Sequence, residues 1–318
     1  MDRGARVFVA GHTGLVGAAL CRRLSASGFR SVLTVDRPTL DLRDHAAVVR
    51  WFTEARPEYV FMAAGTVGGI VANATRPAEF IFDNLAMQTA VIHAAYLTGV
   101  TKLLLLGSSC AYPRDCPQPI REASRLSGPL EPTNEPYAMA KLAAVVMGQA
   151  YRAQYGCRVI SVMPSNLYGP GDNFDLDNGH VLPAMMHRLH QARTCGQSSL
   201  AFWGSGTPLR EFLHVDDMAD ACVFLMEHYD DAEPINIGTG DEISIRDLAF
   251  LVRDIVHPSA SITFDRVRPD GCPRKVLDVS RLHDLGWKHT HQLREGIVQT
   301  YHWFETQLAS GVPPRGVL

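Results

Sequence analysis

Ser108, in the run Gly107-Ser-Ser-Cys-Ala-Tyr-Pro113, and the pair Tyr137 and Lys141, in Pro136-Tyr-Ala-Met-Ala-Lys141, are the residues whose types and spacing speak most directly of chemistry. Residues at i and i+4 share one face of a helix. A lysine ammonium beside a phenol favours the phenolate, so Lys141 is expected to lower the pKa of Tyr137. A tyrosine tuned in this way exchanges a proton with a substrate oxygen near neutral pH. Ser108 follows the apolar run Leu103–Leu106 and is placed to hold that same oxygen from the end of a strand. The Tyr-x-x-x-Lys spacing alone is common in helices; its surroundings give it meaning.

Those surroundings begin with a short apolar strand, Arg6–Ala10, followed at once by Gly11, Gly14 and Gly17 and a helical stretch, Ala18–Leu24. Glycines at this junction let the backbone approach a pyrophosphate at the helix N-terminus. The spacing is G-x-x-G-x-x-G. Strand-like runs at Val32–Val35, Tyr59–Met62, Leu103–Leu106 and Val159–Met163 alternate with helical patterns at Ala46–Ala55, Asn84–Leu97 and Tyr137–Tyr155. Such alternation predicts an α/β fold with a doubly wound parallel sheet covered on both faces. The pattern breaks after the turn-rich Gly169–Asp172. Val181–Ala192 reads as a helix, Phe212–His228 as a return to the sheet, and Ile235–Ile237 as a late strand. We therefore expect a dinucleotide-binding domain from 1–168 plus 212–238, and a second, smaller substrate-binding domain from 169–211 plus 239–318. Ligands of such sheets bind at the carboxyl ends of the strands, so the cleft between the two is the expected site.

Composition removes several function classes. The 318 residues, 46% hydrophobic and 20% charged, suit a soluble enzyme with a large core. A net charge of -3 gives no electrostatic case for nucleic acid or an anionic membrane. No apolar run is long enough to cross a bilayer, and Met1–Arg6 leads straight into a strand with no secretory signal. The seven cysteines are scattered without a C-x-x-C pair, which predicts neither zinc site nor disulfide framework and suits a reducing cytoplasm. The thirteen histidines form no ligand-spaced cluster, so no metal is expected.

Taken together, the chain resembles the extended short-chain dehydrogenase/reductase family over nearly its whole length. Within that family it is most similar to the GDP-L-fucose synthase branch. The likeness is carried by Val67–Asn73, Gly107–Pro113, Leu130–Ala138, Asn166–Pro170, Asp172–Phe174, His180–Pro183, Trp203–Pro208 and Arg210–Asp216. The resemblance implies a Rossmann-type fold, a homodimer and a GDP-sugar substrate. It implies 3,5-epimerisation and NAD(P)H-dependent 4-reduction of GDP-4-keto-6-deoxy-D-mannose. Ser108, Tyr137 and Lys141 would then handle the C4 oxygen. A ketone at C4 acidifies the C3 and C5 protons, and inversion needs a base and an acid on opposite faces. The resemblance gives these roles to Cys110 and His180. It places the cofactor against Gly11, Thr13, Gly14, Leu15, Val16 and Gly17, then Asp36, Arg37, Asp41, Leu42, Ala63 and Ala64, with Tyr137 and Lys141. Asn166, Val181, Arg188, Trp203 and Arg210 are the implied substrate contacts, Arg188 and Arg210 for the diphosphate.

Two positions depart from that branch. Thr13 stands where an arginine is often found, and Thr66 where a lysine often precedes Val-Gly-Gly. Asp36 lies at the end of the second strand, where a carboxylate binds adenosine ribose hydroxyls and repels a 2′-phosphate. Asp36 and Thr13 thus favour NAD(H), whereas the resemblance and Arg37 leave NADP(H) open. A GDP-mannose 3,5-epimerase-like enzyme that recycles bound NAD is the alternative, and a non-catalytic nucleotide-binding regulator a third. The complete set Ser108, Tyr137, Lys141, Cys110 and His180 argues against the regulator.

Overall fold

A computed structural model describes residues 1–266 and 271–317. Positions 267–270 and 318, parts of the expected second domain, lie outside the described residues. The chain opens with β1 (Arg6–Ala10), α1 (Leu15–Ala26), β2 (Ser31–Leu33), α2 (His45–Ala55) and β3 (Tyr59–Met62). It continues through α3 (Ile70–Thr75), α4 (Pro77–Leu97), β4 (Lys102–Leu106), α5 (Glu135–Tyr155) and β5 (Val159–Pro164). Then come β6 (Asn166–Tyr168), α6 (Val181–Thr194), β7 (Ser199–Trp203), β8 (Leu209–Arg210), β9 (Phe212–His214), α7 (Val215–His228) and β10 (Ile235–Ile237). The last part holds β11 (Ile243–Ser244), α8 (Ile245–Val256), β12 (Ser261–Asp265), β13 (Arg274–Lys275), α9 (Ser280–Asp284) and α10 (Leu293–Ala309).

Six strands in the order β10-β5-β4-β3-β1-β2 form one parallel sheet. Side chains alternate across it, as a pleated strand requires. Val7 and Val9 face a core made with Leu20 and Leu24 of α1 and Met218 and Leu225 of α7. Phe8 and Ala10 face the opposite core, with Phe52 of α2, Val91 of α4 and Ala144 of α5. This two-sided burial explains why β4 and β5 are apolar runs with every residue buried. From β1 the chain steps outward to β2, then crosses back to β3, creating the crevice at which ligands of such sheets bind.

One residue of β4 breaks the apolar rule. Lys102 is buried, and its Nζ donates to the carbonyls of Leu225 at 3.3 Å, Met226 at 2.8 Å and Tyr229. A cation there meets the carbonyl end of α7, where it complements the helix dipole and adds a donor for carbonyls at the helix end.

A separate core gathers Phe174, Leu182, Met186 and Leu189 with Leu200, Phe202, Leu248, Val252, Ile297 and Phe304. Around it lie the sheets β12-β7 and β11-β8-β13. Four details differ from the sequence expectation. Strand β2 ends at Leu33 rather than Val35, and α4 begins at Pro77, a proline whose missing N–H suits the first helical turn. Strand β9 pairs with β6 rather than joining the main sheet. Leu282 and Trp287, expected in the second unit, pack into the core of the sheet.

Candidate active site

Ser108 leaves β4 in an extended conformation, and its Oγ accepts the amide of Cys110 at 3.1 Å, holding a tight turn over Ser109–Ala111. Tyr137 stands in the first turn of α5. The Ser108 side chain lies near its hydroxyl. Asn134, the residue before α5, donates its side-chain amide to the Cys110 sulfur at 3.3 Å. The end of β4 and the start of α5 thus bring Ser108, Cys110 and Tyr137 together.

Lys141 lies one turn further along α5, buried, with its Nζ 2.9 Å from the carbonyl of Leu106 and 5.9 Å from the Tyr137 ring centre. The expectation that Lys141 lowers the Tyr137 pKa is not met. Burial pushes the phenol up, the neighbouring Cys110 adds to this, and the Ser108 hydrogen bond opposes it more weakly. Burial in turn pulls Lys141 down to about 8. Tyr137 is therefore held as the neutral phenol, the form that donates a proton.

The glycine loop has the expected shape. Gly11 takes φ 82°, and a Cβ there would fall 2.6 Å from the Ala64 Cα, so Ala63 and Ala64 at the end of β3 lie hard against it. A Cβ on Gly17 would fall 2.0 Å from the Gly11 carbonyl. Gly14 caps α1 with no side-chain acceptor, so the first N–H groups of the helix, at Leu15 and Val16, are free of any side-chain cap. That is the arrangement a dinucleotide pyrophosphate fits. Thr13 and Arg37 are exposed beside it. Asp36 follows β2 with its side chain 70% exposed, open to a ribose, and its carboxylate is 3.3 Å from His12 Nε2. Leu42 is buried, but Asp41 is engaged by Arg43 at 2.7 Å, which also pairs with Asp83 of α4 at 3.0 Å. The Arg43 hydrogen bond holds the Asp41 carboxyl down at about 2.

His180 precedes α6 and is exposed. The loop before it packs on the Val67–Asn73 segment, where the Gly69 amide donates to the Asn178 carbonyl at 2.8 Å. Phe80 of α4, beside that segment, meets the Tyr137 ring edge-on at 6.2 Å. Val181 opens α6, half-buried. Asn166 directs its amide to the Glu211 carbonyl at 2.8 Å. Trp203 ends β7 and is 46% exposed. Arg188 lines an open cleft of about 440 Å³ with Gln191, Ala192, Cys195, Gln197, Leu200 and Ala201, away from Ser108 and Tyr137.

Arg210 of β8 lies in register with Lys275 of β13. The Lys275 Nζ reaches the Cys110 sulfur at 3.9 Å. Sequence reasoning missed Lys275, Asn134 and His12, because none has a spacing signal of its own. Among the described residues no cluster of His, Cys, Asp or Glu could hold a metal ion, and no helix is long and apolar enough to cross a membrane.

Residues 7–238 match the family described as the NAD dependent epimerase/dehydratase family. The chain is 52% identical over 303 residues to GDP-L-fucose synthase 1 of Arabidopsis thaliana, covering 95% of this chain and 94% of that one. It is 48% identical over 308 residues to GDP-L-fucose synthase of Escherichia coli K12, covering 94% and 96%. Its fold is similar to a solved GDP-L-fucose synthetase from Naegleria fowleri bound to NADP, with TM-score 0.90, 30% identity, and coverage of 98% and 95%.

Proposed function

Since the chain belongs to the NAD-dependent epimerase/dehydratase family, we propose that it converts GDP-4-keto-6-deoxy-D-mannose to GDP-L-fucose by 3,5-epimerisation and NAD(P)H-dependent 4-reduction. The observation that carries this reading is the grouping of Ser108, Tyr137 and Cys110 at the end of β4, with the Ser108 side chain close enough to the Tyr137 hydroxyl to favour its ionised form. The full-length likeness to enzymes of that name supports it.

In this reading Ser108 and Tyr137 grip the C4 oxygen. Tyr137, kept protonated by burial, delivers its proton to that oxygen as the carbonyl is reduced. Lys141 keeps the end of β4 and the start of α5 in place through the Leu106 carbonyl. Cys110 takes the C3 and C5 protons, and Asn134 and Lys275 stabilise the negative charge that forms on its sulfur. His180, carried on the loop that packs on Gly69, returns protons from the other face. Arg188 and Arg210 bind the diphosphate, and Asn166, Val181 and Trp203 complete the sugar-nucleotide contacts.

Gly11, Gly14 and Gly17 with Leu15 and Val16 would hold the cofactor pyrophosphate, and Ala63 and Ala64 would flank it. Asp41 and Leu42 would frame the adenine. The bound nicotinamide supplies the hydride. Exposed Asp36, with Thr13 in place of a cation, supports a preference for NADH, since a carboxylate there repels a 2′-phosphate. We assign residues 1–168, 212–238 and 276–287 to the dinucleotide-binding domain and the remainder to the sugar-nucleotide domain. Exposed Phe82 on α4 and Met139, Val146 and Tyr155 on α5 support a homodimer through these helices. Seven free cysteines suit a cytoplasmic location.

The test mixes purified protein with NADH and the 4-keto substrate. One NADH consumed per GDP-L-fucose formed is expected. Epimerised product without net NADH loss would replace this reading with that of a recycling epimerase.

A further inference from the structure

Residues 113–120, which lead away from the Cys110 turn, run beside residues 272–277, which carry Lys275. Three ties fix the alignment. The Arg114 carbonyl accepts the Cys272 thiol at 3.5 Å. The Gln118 side-chain oxygen accepts the Val276 amide at 3.1 Å. Ile120 and Leu277 form a parallel bridge, with the Ile120 amide donating to the Val276 carbonyl at 2.8 Å. Cys116 lies between the first two ties, on the stretch that faces the Cys272 end of this seam. Cys272 is buried and Cys116 half-buried, and both thiols are free. Neither has a part in the chemistry above.

We propose that Cys116 and Cys272 form a reversible thiol-oxidation site that closes to an intrachain disulfide across the seam. Cys116, the more accessible of the two, attacks a low-molecular-weight disulfide such as glutathione disulfide and expels one glutathione thiolate. The Cys272 thiolate then attacks the Cys116 sulfur of the mixed disulfide and expels the second. Two protein thiols are oxidised, one glutathione disulfide is reduced to two glutathiones, and the two thiol protons pass to solvent. Burial and the neighbouring Cys272 push the Cys116 thiol up, while Lys275 pulls the other way. Exchange at Cys116 therefore speeds up as pH rises.

The site has a consequence for catalysis because Lys275 shares a short strand with Arg274 and follows Cys272 closely. A disulfide holds its two Cα atoms about 5.5–6 Å apart. Closing it draws the Cys272 end of β13 towards Cys116 and moves Lys275 off the Cys110 sulfur. The oxidised enzyme should turn over more slowly.

Wild type, Cys116→Ser and Cys272→Ala are equilibrated in buffers of rising oxidised-to-reduced glutathione ratio, without substrate. Free thiols are then blocked with N-ethylmaleimide and the peptides mapped by mass spectrometry. A peptide linking Cys116 to Cys272 is expected in wild type, reversed by dithiothreitol and missing from both variants. Along the same series wild-type reduction should fall roughly tenfold, as a displaced positioning group predicts, and both variants should keep their rate. If Cys116 and Cys272 stay separately blocked where the exposed Cys195 is fully mixed with glutathione, the site is overturned. Equal loss of activity in Cys116→Ser would assign the effect to Cys110 and overturn the catalytic consequence. The linkage assay needs no turnover, so failure of the proposed activity is distinguishable from failure of the disulfide.

Discussion

The ammonium of Lys141 is bonded to the carbonyl of Leu106 at 2.9 Å, and so the residue that ends β4 and the helix that carries Tyr137 are locked to each other. Lys141 acts first on the geometry of the site, and desolvation with the neighbouring Cys110 keeps the proton on the half-buried phenol. A Tyr137→Phe enzyme retains the ring and this lock and loses only the transferable proton. Reduction should drop by roughly two to four orders of magnitude, the scale of one acid/base group, with NADH binding measured by fluorescence nearly unchanged. Near-normal turnover would remove Tyr137 from the proton path.

Asp36 sets the second prediction. Its carboxylate is largely exposed and lies 3.3 Å from His12 Nε2 in the glycine loop. Wild type should have a higher kcat/KM with NADH than with NADPH, and Asp36→Ser should raise the NADPH value. A wild type that prefers NADPH would mean that Arg37 governs this corner.

Cys110→Ser preserves shape but replaces the thiol by a hydroxyl that is a poor base at neutral pH. Exchange of the C3 and C5 protons with deuterated water, followed by NMR, should stop. Any residual reduction should give an unepimerised 6-deoxy sugar. His180→Gln should still lose protons to solvent yet invert neither centre efficiently. Exchange at wild-type rates in Cys110→Ser would return this cysteine to a packing role.

Asp172 gives a pH prediction. One carboxylate oxygen accepts the Asn173 amide at 2.7 Å, and the other is buried without a partner among the described residues. Burial pushes its pKa up to about 7 from 3.8. A carboxyl raised on folding contributes stability below its unfolded value and loses it as pH rises through the folded one. Urea unfolding should therefore show the protein weaker at pH 8 than at pH 5, by at most about 3 kcal/mol, since part of the penalty is already present at pH 5. Asp172→Asn should flatten that slope; an unchanged slope would place the titrating group elsewhere.

Much of this was legible from the chain. Strands β1, β3 and β10 have the bounds read from the sequence, because short, largely apolar segments between helices mark strands buried on both faces. The Ser108, Cys110 and Tyr137 cluster was readable because β4 and the start of α5 fix it locally. The sign of the Tyr137 shift was not, since desolvation belongs to the whole fold and the Lys141 ammonium is turned to the Leu106 carbonyl. Asp41 was read only as a cofactor contact, and the folded loop shows Arg43 between it and Asp83. Lys275 arrives at Cys110 from the far end of the sequence, through a strand pairing that no periodicity announces.

Glu211, between β8 and β9, is fully buried, and its carboxylate collects the amides of Thr239 at 2.5 Å, Gly240 at 2.9 Å and Leu277 at 2.9 Å. All three donors lie beyond Ile237, the last residue of the parallel sheet. A chain cut after the family-matched stretch would keep the anion and lose every one of these donors, at a cost of several kcal/mol for an uncompensated buried charge. A chain ending at residue 238 would therefore carry this carboxylate without its donors, and a nascent chain must wait for its final quarter before the buried carboxylate is fully hydrogen-bonded.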